Sequence, residues 1–115
     1  MHTIVETPVF IRRAKKLGVT DVELDRLKTL LAESPLSGDE IPGTGGARKL
    51  RLAGRGRGKS GGYWVITFYS GGHFPVCLLD IYAKGEKISL TQGERNVLKS
   101  ILQEIVEAYR SREND

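Results

Sequence analysis

The chain is poor in the residue types that stabilise or equip many small proteins. Its 115 residues include one cysteine, one tryptophan and two histidines. A single cysteine cannot form a disulfide within the chain, and Cys77 lies in an apolar run, which favours a buried, unreactive thiol. His2 and His73 are far apart and have no cysteine or carboxylate at ligand spacing. These shortages argue against a disulfide scaffold and against a metal centre.

Long apolar runs are also missing. The apolar stretches, such as 76–79, are far shorter than the roughly 20 residues that cross a bilayer. No basic-then-apolar segment of the kind that directs export opens the chain. The length suits one domain with a modest core. We therefore expect a single domain over 1–115, located in the cytoplasm and making no membrane contact.

Acidic residues are absent from the middle of the chain, between Ile41 and Leu79. Segment 43–69 instead holds eight of the fourteen glycines and six basic residues, namely Arg48, Lys49, Arg51, Arg55, Arg57 and Lys59. The rest of the chain has 12 basic and 14 acidic residues, so the net charge of +4 comes from this one segment. Clustered lysine and arginine neutralise phosphates, which indicates an extended polyanion such as RNA as a partner.

Two helices are expected after a short β-prone opening. Thr7 is a helix N-cap with Pro8 at the first helical position, and Gly18 suits the C-cap of the same helix. Thr20 and Glu23 form a capping box that begins a second helix. A tight turn between the two predicts an N-terminal antiparallel helical hairpin.

Three strands follow a predicted loop over 37–46, and they span 47–53, 63–69 and 74–82. Gly71 and Gly72 indicate a hairpin turn between the last two strands. In the first strand, leucines alternate with Lys49 and Arg51. This alternation predicts a sheet with one apolar face and one open, cationic face.

The C-terminal helix has the clearest pattern. Thr91 and Glu94 form a second capping box, and an apolar stripe at helical spacing extends the helix to about Tyr109, before a polar tail expected to fray. The sequence thus predicts an α+β domain in the order β-α-α-β-β-β-α, with helices on one face of a small antiparallel sheet.

Segment 53–60, reading AGRGRGKS, matches a relaxed phosphate-binding loop. That loop must lead directly into a helix, with its amides and lysine around nucleotide phosphates. Here it leads into Gly61, Gly62 and a β-prone aromatic run. Nucleotide binding is therefore disfavoured, and the segment is better explained as a hairpin loop.

The composition leaves lysine, arginine and tyrosine as the side chains for any catalysis. Attack of a ribose 2′-OH on the adjacent phosphate needs proton removal and stabilisation of negative charge. Clustered cations supply that stabilisation, and they lower the pKa of a neighbouring lysine towards that of a base. The same cluster can also be a solvated face that binds RNA or an acidic partner without chemistry, and composition alone favours this second interpretation.

Two stretches carry a family resemblance: RKLRLAGRGRGKSGGYWVITFY and, after it, CLLDIYAKGEKISLTQGE. Together they resemble the HigB branch of the RelE/ParE superfamily of bacterial toxins, over nearly the whole chain. The resemblance implies a RelE-like fold and a type II toxin that acts as a ribosome-dependent, metal-independent endoribonuclease (an mRNA interferase) without a cofactor. It also implies a HigA-type antitoxin that binds operator DNA, and translation inhibition by cleavage of mRNA on the ribosome.

The resemblance also assigns residues by position. Lys49 and Arg51 occupy the places of the basic residues on the first central strand, Lys59 is the basic residue of the GKSGGY turn, and Lys84 matches a cation near the scissile phosphate. Residues suited to holding the backbone of messenger or ribosomal RNA are Arg48, Arg55, Arg57 and Lys87.

Trp64 departs from the family pattern, which has an arginine after Gly-Gly-Tyr. Tryptophan has one N–H and no charge, so it cannot form a charge-assisted bidentate pair with phosphate. Alternation puts Trp64 on the open cationic face. Three explanations stay open: an inactivating substitution, a degenerate natural toxin that keeps antitoxin and regulatory roles, or a stacking platform for an unpaired base. The first two are favoured, and both predict recovery of activity in Trp64→Arg.

The rival interpretation is a catalytically inactive relative that binds antitoxin and RNA. A gyrase poison of the ParE type is a third possibility, disfavoured by the dense lysine and arginine set on the strands. Inhibition of protein synthesis, as against a DNA-damage response, distinguishes the two active classes.

Overall fold

The computed structural model describes residues 2–54, 61–86 and 89–114. These residues form three helices and five strands in the order β1 (Ile4–Glu6), α1 (Pro8–Leu17), α2 (Asp21–Glu33), β2 (Asp39–Glu40), β3 (Arg48–Leu52), β4 (Tyr63–Phe68), β5 (Val76–Ala83) and α3 (Gln92–Asn114). No helix in this described part of the chain is long and apolar enough to cross a membrane.

The five strands form one mixed sheet in the order β1-β5-β4-β3-β2. The α+β class is confirmed, but the prediction of a purely antiparallel sheet was wrong, because β1 pairs parallel to β5. The prediction of a loop throughout 37–46 was also wrong, because β2 pairs with β3 at the sheet edge. The observed order is therefore β-α-α-β-β-β-β-α.

The two N-terminal helices begin as their capping residues predict. The Phe10 backbone N–H donates to Thr7 Oγ1 at 3.3 Å. In the next helix the Thr20 N–H donates to Glu23 Oε1 at 2.9 Å, and the Glu23 N–H donates to Thr20 Oγ1 at 3.2 Å. Gly18 ends α1 in the left-handed conformation, with a φ of 74°. Both predicted helices and their caps are confirmed.

Thr20→Ala is expected to lower the free energy of unfolding by about 1 kcal/mol, because it removes the acceptor that satisfies the Glu23 amide. Thermal or urea unfolding followed by circular dichroism measures the change. Thr29→Ala is the matched control, since Thr29 is exposed on the same helix, away from the cap. An equal loss in both variants would contradict a specific capping role.

The core has two parts, one on each face of the sheet. The hairpin-side core joins α1 and α2 to the strands and consists of Phe10, Ala14, Leu27, Leu31, Leu50, Leu52, Tyr63, Val65, Val76, Leu78 and Ile81. The α3-side core joins α3 to the other face and consists of Ile41, Ala47, Ile66, Phe68, Cys77, Leu79, Tyr82 and Leu102. The expectation that all helices pack on one face was therefore wrong.

Helix α3 starts at its predicted capping box, in which the Glu94 N–H donates to Thr91 Oγ1 at 3.1 Å. It continues to Asn114, so the prediction that the helix ends near Tyr109 was wrong. Leu102 is its one fully buried apolar side chain among those described, while Val97 remains 60% exposed. The helix thus covers its face of the sheet incompletely and leaves room for a site.

Two close backbone approaches fix the positions of the strand ends next to that site. Gly38, with a φ of 91°, lies so near the Lys49 carbonyl that a Cβ would be 2.6 Å from its oxygen. Gly62, with a φ of 99°, would place a Cβ 2.7 Å from the Leu52 carbonyl oxygen. Any side chain at either position would force the edge strand or the start of β4 away from β3.

Candidate nucleic-acid interface

Strand register brings three of the predicted site residues to one face of the sheet. Arg51 lies directly opposite Trp64, and Trp64 lies directly opposite Tyr82. Directly opposed residues point to the same face, and Lys49, two residues before Arg51, shares that face. The α3 side of the sheet therefore carries a row of two cations and two aromatic rings across three strands.

Lys49 is held against the aromatic rings of this row. Its Nζ lies 4.4 Å from the Trp64 ring centroid and 5.9 Å from the Tyr82 ring centroid. Contacts of this length place the ammonium within reach of the negative ring faces, an attractive cation–π arrangement. Partial burial lowers the pKa of Lys49 below the ordinary value for lysine. The site thus contains a positioned amine that loses its proton more readily than a solvated lysine does.

Tyr82 is the most buried member of this row, with 2% of its surface exposed. Its hydroxyl is buried and has no hydrogen-bond partner within the described residues. Burial raises the pKa of Tyr82, and the carboxylates of Asp80 and Glu94 raise it further. The phenol therefore stays protonated at neutral pH and is a hydrogen-bond donor at the floor of the site.

Trp64 is less open than alternation alone predicts. Its side chain is half-buried and packs against the α3-side core. The face that was expected to be open is therefore partly covered. Helix α3 packs on the part near Ile66 and Phe68, and the cationic row lies on the part that α3 leaves uncovered. The ring still lines a cleft, so it is accessible to a ligand from one side.

Lys84 follows β5 and belongs to the same end of the sheet. Its backbone N–H donates to the Gly62 carbonyl at 3.1 Å, one step beyond the pairing of Tyr63 with Ala83. Continued alternation puts the half-buried Lys84 on the face of Tyr82. The structure therefore brings Lys84 to the same face and end of the sheet as Trp64.

Arg48 lies apart from the other predicted residues. Alternation along β3 puts it on the face opposite Lys49, and its Nη1 donates to the Gly38 carbonyl at 2.9 Å. The Arg48 guanidinium therefore stabilises the edge of the sheet at residues 38–40. The remaining predicted cations lie outside the described residues: Arg55, Arg57, Lys59 and Lys87.

A cleft of about 310 Å³ opens beside Trp64, between the β2 edge and the start of α3. Its lining consists of Asp39, Glu40, Ile41, Pro42, Lys49, Trp64, Ser89, Leu90 and Arg95. No sequence pattern connected Asp39, Tyr82 or Arg95 to the site, since each is far from segment 43–69 or carries the opposite charge. Knowledge of the β4–β5 register would have identified Tyr82, which is paired with Trp64.

Other side chains that could carry chemistry lie away from this face. Cys77 is buried, as predicted, and burial raises the pKa of its thiol. The His2 ring bonds the Tyr69 hydroxyl at 3.0 Å, and His73 is exposed in the β4–β5 turn. The described residues contain no group of three or more histidine, cysteine or acidic side chains that could hold a metal ion. No protein-family model matches the chain.

Lys49 is expected to titrate at a lower pH than a lysine in a model peptide, because partial burial disfavours its charged form. NMR titration of lysine side chains labelled at Cε measures this pKa, and Lys49→Met identifies the resonance by its loss. A midpoint at or above about 10.4, the ordinary lysine value, would contradict the lowered pKa.

Proposed function

We propose that this chain is a HigB-type toxin of the RelE/ParE superfamily that cuts mRNA in the ribosomal decoding site, with activity reduced by Trp64. The observation that carries the proposal is the convergence of Lys49, Arg51 and Trp64, three positions that the resemblance assigns to catalysis, on one sheet face. The sequence resemblance supplies the family, and this arrangement of cations supplies a surface suited to RNA.

The proposed roles follow from chemistry available at each position. Lys49, with its lowered pKa, would accept the proton of the attacking 2′-OH. Arg51 would donate to the phosphate as negative charge develops in the transition state. Tyr82, protonated at neutral pH, lies close enough to Lys49 to influence its orientation. Lys59 and Lys84 would add charge stabilisation, as the resemblance implies, and the reaction would need no cofactor.

The proposed partners are those of the family. A HigA-type antitoxin would neutralise the chain and connect it to operator DNA, and the ribosome would present the mRNA. Cytoplasmic location follows from the ribosomal substrate.

Induced expression tests the toxin class. We expect the Trp64→Arg form to stop amino-acid incorporation within minutes and to leave DNA-damage reporters silent. The unsubstituted chain is expected to act more weakly at the same protein level. Induction of the DNA-damage response with continued protein synthesis would contradict the proposal and indicate a gyrase poison.

A second candidate function is RNA binding without cleavage, in complex with an antitoxin. The contact between Lys49 and Trp64 favours it, because a ring attracts and retains the protonated amine. Retention of the proton opposes the base role. The surface would then bind RNA through charge and stacking alone.

Either function requires phosphate contacts, which salt dependence measures. Arg51→Gln is expected to reduce the slope of log K against log salt for single-stranded RNA by about 0.7, the value for one lost phosphate contact. Fluorescence anisotropy at several salt concentrations gives the slope. Arg26→Gln is the matched control, since Arg26 is exposed on α2, on the other side of the sheet. Equal slopes for Arg51→Gln and the unsubstituted chain would show that Arg51 does not contact phosphate.

A further inference from the structure

The cleft beside Trp64 differs in chemistry from the basic surface around it. Its walls are largely apolar, formed by Trp64, Ile41, Pro42 and Leu90. A volume of about 310 Å³ is at the lower limit for small-molecule sites, sufficient for one flat aromatic group. The ring of Trp64 gives such a group a surface on which to stack.

The polar groups of the cleft are of both signs. Asp39 lies directly opposite Lys49 in the β2–β3 pair, so the two side chains share a face. Arg95 also lines the cleft, and its Nε is a buried donor with no hydrogen-bond partner within the described residues. A simple polyanion would meet repulsion from Asp39. The cleft instead suits a ligand that has N–H donors at one end and negative charge at the other.

We propose that this cleft binds one unstacked nucleotide of a single-stranded RNA, with its base against Trp64, its Watson–Crick edge at Asp39, and a preference for guanine. The inference rests on the RNA-binding part of the proposed function and adds the base that the site reads.

Guanine matches a carboxylate better than the other bases do. Its Watson–Crick edge has two adjacent donors, N1–H and the N2 amino group, which can bond both oxygens of Asp39. Adenine and cytosine each present one amino donor beside a ring-nitrogen acceptor, and uracil presents one N–H between two carbonyls. In those three bases an acceptor would face the carboxylate, which is repulsive.

The other end of the nucleotide meets the cations. The Arg95 guanidinium, which lines the cleft, would donate to a phosphate or ribose oxygen. Lys49, beside the same ring, would contribute charge to the adjacent phosphate. Specificity from Asp39 and affinity from the cations are therefore separable by mutation.

Trp64 is the only tryptophan in the chain, so its fluorescence reports directly on the cleft. The probes are 5′-labelled RNA trinucleotides UXU, where X is guanine, hypoxanthine, adenine or uracil. Quenching of Trp64 measures occupancy of the cleft, and anisotropy of the label measures RNA binding anywhere on the protein. We expect UGU to quench Trp64 and to bind about 10- to 100-fold tighter than UAU or UUU, the usual value of one bidentate base contact. The trinucleotide with hypoxanthine, which lacks the N2 amino group, is expected to bind with an affinity between that of UGU and those of UAU and UUU.

Two variants make the test specific. Asp39→Asn replaces one acceptor oxygen by a donor and is expected to reduce the UGU preference to less than about 3-fold, with quenching retained. Asp25→Asn is the matched control, since Asp25 is exposed on α2 away from the cleft, and should keep the full preference. Circular dichroism of both variants checks the fold.

Each contrary outcome has a distinct meaning. Quenching that is equal for all four probes would overturn guanine reading. Anisotropy changes without quenching would show that RNA binds elsewhere and would overturn the cleft as a site, while the proposed function survives. No anisotropy change at low salt with any probe would overturn both the inference and the RNA-binding function on which it rests.

Discussion

Trp64→Arg is expected to raise the rate at which this chain cuts mRNA on a programmed ribosome by about 10²- to 10³-fold, the usual effect of one transition-state donor. The new guanidinium would stand opposite Arg51 and beside Lys49, where a phosphate can meet all three cations. It would also replace an attractive ring by a second positive charge, which lowers the pKa of Lys49 further and increases its neutral fraction at pH 7.

Primer extension on mRNA held in the decoding site measures the cut, with purified ribosomes and equal concentrations of the two proteins. Trp64→Leu is the matched control, because it removes the ring and supplies no donor. If the leucine form cuts as fast as the arginine form, the ring blocked the site and the guanidinium has no role. If the unsubstituted chain already cuts at the arginine rate, Trp64 does not replace a catalytic contact.

Lys49→Met in the Trp64→Arg background is expected to lower the cleavage rate by about 10²- to 10⁴-fold, the range for loss of a general base. Methionine keeps the unbranched apolar stem of lysine and most of its length, so the packing of β3 against β4 should survive. The same ribosome assay measures the loss. Lys16→Met, on the exposed face of α1, is the matched control and should cut at the parent rate.

Lys49→Arg separates a base from a fixed charge. Arginine keeps the positive charge but does not deprotonate in proteins. If Lys49→Arg cuts nearly as fast as the form that keeps Lys49, Lys49 acts through its charge alone. A loss as large as that of Lys49→Met supports the base role. For a base, cleavage in the parent should rise with pH and level off above the lowered pKa of Lys49, since only the neutral amine accepts a proton.

Local signals in the sequence predicted the helices and the main strands. The capping boxes at Thr20 and Thr91 contain both their partners within four residues, so no distant contact decides them. The same holds for the alternation that put Lys49 and Arg51 on one face. These features are short-range, and short-range patterns can be read from one sequence.

The errors concern pairings between distant residues. Strand β1 joins the sheet through β5, about seventy residues later, and nothing in its own three residues indicates a parallel partner. Asp39 and Glu40 have low strand propensity, and they pair only because β3 presents a free edge. The choice of a second face by α3 likewise depends on which side the helical hairpin already covers.

In the site, too, the features set by neighbouring residues were predicted and those set by distant residues were not. Positions on a single strand were predicted, whereas the packing of Lys49 between Trp64 and Tyr82 needs the register of three strands. Arg95 reaches the cleft only through the placement of α3. The resemblance assigned Lys49 by position, but it assigned no role to Tyr82 or Arg95.

The interior position of β5 in the sheet determines when the surface suited to RNA can form during synthesis. This strand bonds β1 on one side and β4 on the other, and it carries Tyr82, yet it is among the last strands made. A nascent chain that has emerged only as far as β4 has Lys49 and Arg51 but has neither the partner strand nor the second ring beside Lys49. The pairing of β1 with β5 joins residues about seventy positions apart, and pairing between such distant residues is slow. The surface suited to RNA therefore forms only after β5 has been made and has paired with β4.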